Sequence, residues 1–323
     1  MNDSTAVIVL GMHRSGTSAL GGLLAELGVF MGKKLYAAQQ GVNDKGFYEN
    51  AAVVELNERI LDSLRVAWDQ PNLLSQPNVR ALEHKAIQAA CADLLLAEYA
   101  EHELWGIKDP RLCLTLPAWR AAIEKVSGRQ LYLLPIRDPR EVCASLHRRD
   151  KFSIEKSLYI WMNYTLSAWR YSESGDRVVL PYSLLMDETA QVMLDLCNRL
   201  GVSATGRETS NFIDSSLRRN TAGSLLTTDL GRLALSVYEA LAMESIDEPL
   251  IETLFQEYSV VQAQFPQALI EHIASVTQAE IHFRELFEDA YYSWWWKLAR
   301  PVKFLEEFFR KKSKRVEFRP FED

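Results

Sequence analysis

The run Ala6-Val-Ile-Val-Leu10, followed without a break by Gly-Met-His-Arg-Ser-Gly-Thr-Ser18, limits this chain more than any other stretch. Successive apolar residues with no polar alternation fit a strand buried on both faces, as in a parallel sheet. Gly11 to Ser18 is then small and polar, and Ala19 to Leu27 resumes helical spacing, with Gly28 placed to close the helix. Strand, glycine loop and helix in that order set backbone N–H groups at a helix N-terminus, where a phosphate-like anion can be held. The loop has the Gly11-x-x-x-x-Gly16 spacing of a triphosphate loop, but Thr17 stands where that loop carries its lysine. That lysine serves the β- and γ-phosphates, so its absence argues against a kinase or an ATPase. The loop's own cation is Arg14, which with Ser15, Thr17 and Ser18 suits one terminal phosphate bearing another charged group. The alternative for the same residues is a tight strand–helix turn with polar filler.

His13-Arg14-Ser15-Gly16-Thr17-Ser18 resembles the 5′-phosphosulfate loop of the sulfotransferases that use 3′-phosphoadenosine 5′-phosphosulfate (PAPS). The likeness is to the bacterial, carbohydrate and tyrosyl-protein branch. It implies an α/β fold of the P-loop type, in three layers, with a central and mainly parallel sheet flanked by helices. It also implies PAPS as co-substrate, no metal, and a role for His13 to Ser18 in holding the nucleotide.

Three later segments bear on that resemblance. Lys33 to Asn50 is polar and glycine-punctuated, ending Lys45-Gly-Phe-Tyr-Glu-Asn50. Read alone it is a surface loop. In a transferase Glu49 could serve as the base for an acceptor hydroxyl, if desolvation raises its pKa. Related sulfotransferases supply a glutamate base soon after the loop, so the resemblance favours Glu49, with Asp44 the second choice. Leu104-Trp-Gly-Ile-Lys-Asp-Pro-Arg111 reads as a short strand ending in a charged turn, where open α/β sheets bind ligands. A salt-bridged loop would look the same. In sulfotransferases carrying Lys-Asp-Pro the lysine faces the transferring group, which gives Lys108 that role and Arg111 a contact with acceptor or sulfate. Gln130 to Ile136 is a further strand, followed by Arg137-Asp-Pro-Arg-Glu-Val-Cys-Ala-Ser145 with Asp138 as N-cap and Pro139 in the first helical turn. The family's strand-end arginine and a serine about eight residues on bind the 3′-phosphate, and Arg137 and Ser145 match that pattern.

The helices expected between these motifs run over Ala51–Ala67 and Val79–Tyr99, with Pro71 and Pro77 bracketing a loop. Ile154 to Tyr171 is an aromatic-rich helix whose Tyr159, Trp161, Tyr164 and Trp169 suit a core better than a sugar platform. Arg177 to Leu180 reads as a strand and Ala190 to Gly201 as its helix. Arg218 and Arg219 lie on a late loop that in the family closes over the nucleotide; as surface charge they would be ordinary.

The 323 residues divide at this level into a PAPS-binding domain, 1–228, and a helical extension, 229–323, ending in a tryptophan-rich basic tail. A net charge of −7 gives no support for a nucleic-acid partner. The four cysteines are scattered in apolar contexts, as buried thiols of a reducing compartment would be. No basic-then-apolar leader is visible at the N-terminus, and no apolar run approaches the ~18 residues of a spanning helix. The expected location is therefore cytoplasmic. Tyr291 to Phe304, with Trp294, Trp295 and Trp296, and the cations Lys311, Lys312, Lys314 and Arg315, suit an anionic membrane surface at the inner face. The tail also resembles that of bacterial polysaccharide glycosyltransferases; an aromatic cap on the domain or on a partner is the alternative. Together these readings predict transfer of a sulfuryl group from PAPS to a hydroxyl on a saccharide of a cell-surface or exported polysaccharide or glycolipid. A P-loop nucleotide kinase and a non-catalytic module binding PAP (the desulfated nucleotide) or glycan are the competing classes.

Overall fold

The structure is a computed structural model, and it describes residues 4–36, 46–173, 175–203 and 227–294. Its sheet has four strands, β1 (Thr5–Val9), β2 (Leu104–Lys108), β3 (Arg129–Ile136) and β4 (Asp176–Pro181), in the order β2-β1-β3-β4. Every pairing is parallel, with Val9 level with Lys108 on one side and Leu133 on the other. The absence of alternation in β1 has the expected cause. Ala6 and Ile8 join one hydrophobic cluster, Val7 and Val9 join the other, and all four are fully buried.

Helices cover both faces, making three layers. Over one face lie α1 (Thr17–Glu26), α8 (Tyr182–Asp187) and α9 (Thr189–Leu200), which contribute Leu20, Leu24, Leu185, Val192 and Leu196. Over the other lie α5 (Leu112–Val126), α6 (Pro139–Asp150) and α7 (Ile154–Tyr171), joined by α2 (Ala51–Ser63), α3 (Gln76–Leu82) and α4 (Lys85–Tyr99). The strand order therefore switches direction between the adjacent strands β1 and β3. The connection after β1 begins with α1 on one face, and the connection after β3 begins with α6 on the other. The crevice beyond the carboxyl ends of those two strands is where open α/β sheets of this kind take ligands.

Several local expectations change here. The helix read across Val79–Tyr99 is broken at Glu83 and His84. Ser75 caps α3 and the His84 ring accepts from the Ala86 N–H to start α4 anew. Pro77 lies in the first turn of α3 instead of a loop, where its missing N–H costs nothing. α2 stops at Ser63, four residues short of Ala67. Trp161 and Tyr164 of α7 are core residues, as their spacing suggests. α10 (Asp229–Leu241) and α11 (Glu248–Ala263) bury Leu233, Val237, Ile251 and Tyr258 in the same cluster as α5 and α7. A first compact unit runs to Ile270. The second unit begins at Glu271 and holds most of α12 (Gln267–Tyr292). Among the described residues no helix is long and apolar enough to cross a membrane.

Candidate active site

The phosphate-type loop is shaped by backbone geometry. Gly16 takes φ 90°, and a Cβ there would lie 2.6 Å from the Tyr182 ring, so both conformation and space call for glycine. Arg14 (φ 70°) and Tyr48 (φ 53°) also occupy the left-handed region. Strained backbone of that type persists where surrounding contacts hold it, as at ligand sites. Among the described residues no side chain caps the N-terminus of α1, which leaves its first-turn N–H groups facing the loop. Ser15 and Thr17 are buried.

Lys108 ends β2 and is 2% exposed. Its ammonium donates to Glu49 Oε1 at 2.5 Å, to the Phe47 carbonyl at 3.0 Å and to Ser18 Oγ at 3.3 Å. Two residues named separately as base and charge stabiliser, 59 positions apart, are thus each other's ion-pair partner. Part of what brings Glu49 there is Gly21. Its missing side chain lets Tyr48 lie on α1, where a Cβ would come within 2.8 Å of the Tyr48 Cβ. Asn50 then caps α2 by accepting from the Ala52 N–H. Burial raises the Glu49 pKa; the Lys108 charge opposes it and Asp109 adds to it, and the net shift is upward.

Across the loop, Arg137 follows β3 and is 5% exposed. Its Nε donates to Glu141 at 2.7 Å, its Nη1 to the Arg14 carbonyl at 3.1 Å, and its guanidinium lies 4.0 Å over the Tyr182 ring. Its Nη2 is buried with no hydrogen-bond partner among the described residues. Ser145, buried on α6, accepts from Arg14 Nε at 2.8 Å, so the predicted 3′-phosphate serine and the loop arginine meet directly. Burial lowers the Arg14 pKa, with Arg149 and Arg137 adding repulsion. Asp138 and Pro139 start α6 as the sequence indicates.

Other candidates are engaged differently from expectation. Arg111 Nη1 donates to Asp109 at 3.0 Å and Nη2 to Glu58 at 2.9 Å. Its burial would lower its pKa, but those carboxylates outweigh it and raise it. Asp109, fully buried, also accepts from Asn57 at 2.8 Å, and Asn57 Oδ1 accepts from Thr115 and Trp119. That network makes the Asp-Pro turn a structural support for Lys108 as well as a source of cations. His13 packs its ring 4.7 Å from Trp68 and 5.7 Å from Tyr164, with Nε2 buried and without a hydrogen-bond partner among the described residues. Burial, then the charges of Arg111 and Arg149, push its pKa well below the ordinary value. Arg218 and Arg219, and the alternative acid Asp44, lie outside the described residues.

Sequence reasoning missed Tyr182, Glu141 and Trp68 as neighbours of these groups. Glu141 was detectable, standing four residues after Arg137 on a helix. Tyr182 and Trp68 come from segments with no local signature. Two surface concavities lie elsewhere, about 570 Å³ beside Val178 and Leu196 and about 300 Å³ between Trp169, Arg177 and Phe255, and neither is lined by a predicted site residue. Among the described residues no cluster of histidine, cysteine or carboxylate side chains could hold a metal.

No family model and no curated protein matches the sequence. Among solved structures the chain is similar to the sulfotransferase domain from the Synechococcus PCC 7002 olefin synthase, at 16% identity and a TM-score of 0.38, over 80% of this chain and 95% of that one. It is also similar to the sulfotransferase domain from the curacin biosynthetic pathway, at 15% identity and a TM-score of 0.39, over 79% of this chain and 98% of that one. At that distance no residue role is transferred from them.

Proposed function

We propose that this chain is a PAPS-dependent sulfotransferase acting on a hydroxyl. The observation that supports the reading is the meeting of two groups of buried cations and N–H donors at one strand-end crevice, joined through the 2.8 Å Arg14–Ser145 hydrogen bond. One group is the loop with the α1 N-terminus and Lys108. The other is Arg137, whose buried Nη2 could donate to a ligand oxygen. A nucleotide with phosphates at both 5′ and 3′ positions fits two such groups; a triphosphate chain needs only the first, together with the lysine this loop lacks.

In the reaction, Glu49 takes the acceptor proton as the hydroxyl oxygen forms its bond to sulfur and the bridging oxygen–sulfur bond breaks, releasing PAP. The raised Glu49 pKa makes it a better proton acceptor than an ordinary carboxylate. Lys108 and Arg14 offset charge on the sulfuryl and departing oxygens, the role magnesium takes in phosphoryl transfer. Ser15 to Ser18 hold the 5′-phosphate, and Arg137 and Ser145 the 3′-phosphate. Arg111 would contact the acceptor or sulfate, and Arg218 and Arg219 would bind the nucleotide, as the resemblance implies. The acceptor is a saccharide of a cell-surface or exported polysaccharide or glycolipid, in the cytoplasm or at its membrane face; this part rests on the family resemblance alone.

The experiment is transfer of labelled sulfate from PAPS to a panel of neutral and uronic-acid oligosaccharides. Label appearing on a glycan with wild type and not with Glu49→Gln supports the reading. PAPS that binds and is never consumed would leave a nucleotide-binding module instead.

A further inference from the structure

The connection between α2 and α3 has no regular structure over residues 65–75, yet side chains from two helices pin its backbone. The Tyr164 hydroxyl donates to the Trp68 carbonyl at 2.8 Å, and Asn163 Nδ2 to the Gln70 carbonyl at 3.2 Å. Gln262 of α11 donates to the Pro71 carbonyl at 3.2 Å and accepts from the Leu73 N–H at 2.9 Å. Tyr258 ties these pins together, its hydroxyl donating to Asn163 Oδ1 and accepting from Gln262 Nε2, both at 2.6 Å. Asn163, Tyr164 and Tyr258 are buried. Loops held this way by a rigid scaffold are where binding side chains are presented ready for a ligand.

The pinned loop adjoins the candidate site. Tyr182 borders the phosphate-type loop at Gly16, under the Arg137 guanidinium that the proposed reaction gives to the 3′-phosphate. Trp68 borders the same loop at His13, 4.7 Å between ring centroids. Beside it is Arg111, whose charge acts on His13, on Tyr164 and on the proposed base Glu49. Trp68 and Phe152 are half-buried rings 6.0 Å apart and form an apolar strip. Next to them His13 Nε2, Gln70 Oε1 and Asn72 Oδ1 are buried without a hydrogen-bond partner among the described residues. Buried polar atoms are nearly always paired, so two orphaned carbonyl oxygens on one pinned loop call for a ligand that donates. The cations around the strip already hold carboxylates: Arg149, over Trp68, has Asp150; Lys156, over Phe152, has Asp69; Arg111 has Asp109 and Glu58. An apolar face edged by acceptors, with its cations paired, suits an uncharged sugar better than an acidic one.

We propose that the Trp68–Leu73 loop is the acceptor subsite and takes an uncharged saccharide, its ring on Trp68 and its hydroxyls donating to the Gln70 and Asn72 oxygens. What is then done to that sugar rests on the sulfotransferase reading above; that it binds here does not. Saturation-transfer NMR of the full chain, with and without PAP, reads binding from a panel of neutral hexose, N-acetylhexosamine and uronic-acid oligosaccharides. At least one neutral member should bind, and more tightly than its uronic-acid counterpart. Trp68→Ala should abolish that signal and Trp68→Phe should keep it. Gln70→Leu should weaken the sugar by about 5–10-fold and leave PAP affinity unchanged, with a melting temperature equal to or above that of wild type, because it removes an unpaired buried oxygen. A packing role for Gln70 would instead lower the melting temperature and spare the sugar. Neutral-sugar binding that survives Trp68→Ala overturns the proposal, as does a panel in which only uronic-acid members bind or none does. Sugar binding without PAP binding would overturn the sulfotransferase reading and leave the subsite standing; PAP binding with no sugar bound does the reverse.

Discussion

The two cations at the strand ends, Lys108 and Arg137, are buried to the same degree and satisfied to different degrees. Lys108 spends its donors inside the protein, on Glu49, the Phe47 carbonyl and Ser18. Arg137 uses Nε and Nη1 on Glu141 and the Arg14 carbonyl and keeps Nη2 without a partner among the described residues. A closed ion pair and an open guanidinium suit different tasks. In the proposed reaction the first would hold Glu49 and Lys108 at a fixed distance, with the Lys108 charge opposing the rise in the Glu49 pKa. The second is oriented by its neighbours and leaves a donor for a ligand. If the comparison holds, damage on the Lys108 side should fall on turnover, and damage on the Arg137 side on nucleotide affinity.

The sharpest break would come from Glu49→Gln, which keeps the shape and removes the base. Turnover should drop by about 10²–10⁴-fold, while calorimetric PAP affinity stays within a few-fold of wild type. In wild type the acid limb of kcat should lie above the ordinary carboxylate range, because the base must be ionised and burial raises its pKa; Glu49→Gln should lose that limb. Lys108→Met comes next. It should cost about 10²–10³-fold in turnover, as loss of one preorganised charge does. It also leaves Glu49 buried without its partner, so a chemical melt should show stability reduced by about 3 kcal/mol.

On the other side, Arg137→Ala should weaken PAP by roughly 10–100-fold, the scale of a lost charged hydrogen bond, with a much smaller change for AMP, which lacks the 3′-phosphate. Equal losses for the two ligands would break the comparison. Ser145→Ala removes only a neutral acceptor of Arg14 and should cost about fivefold in PAP affinity. The smallest effect concerns His13. With a folded pKa below that of the unfolded chain, His13 binds more protons when unfolded, so its contribution to stability is full above about pH 6.5. It is lost as pH falls from there toward the depressed value. A His13→Phe variant should flatten that part of a stability–pH curve.

Much of this was legible in the chain itself. Non-alternating β1 read as a two-face strand, α7 fell at Ile154–Tyr171 as its aromatic periodicity placed it, and Asp138 capped α6. These succeed because the cause is local: a run, a period, a cap. α5 escaped notice for the opposite reason. Its first eight residues, Leu112 to Trp119, are all buried, so that half shows no polar face, and Pro117 sits inside it. The break between α3 and α4 depends on His84 acting as a cap, a role its residue type does not announce. At the site, both Glu49 and Lys108 were marked as chemistry-bearing, but not as a pair. Their meeting is set by the Gly21–Tyr48 approach and the β2 register, which are tertiary. Arg111, given a ligand contact by the resemblance, stands in an ion triad with Asp109 and Glu58, the salt-bridged turn that the same residues also allowed.

The proposed function requires a crevice that takes a nucleotide phosphorylated at both its 5′ and 3′ positions. Calorimetry of the wild-type chain with PAP, AMP and ATP plus magnesium tests it without any acceptor. PAP should bind without metal and at least about tenfold more tightly than AMP, with ATP weaker still. AMP binding as well as PAP, or magnesium–ATP binding best of the three, would contradict it.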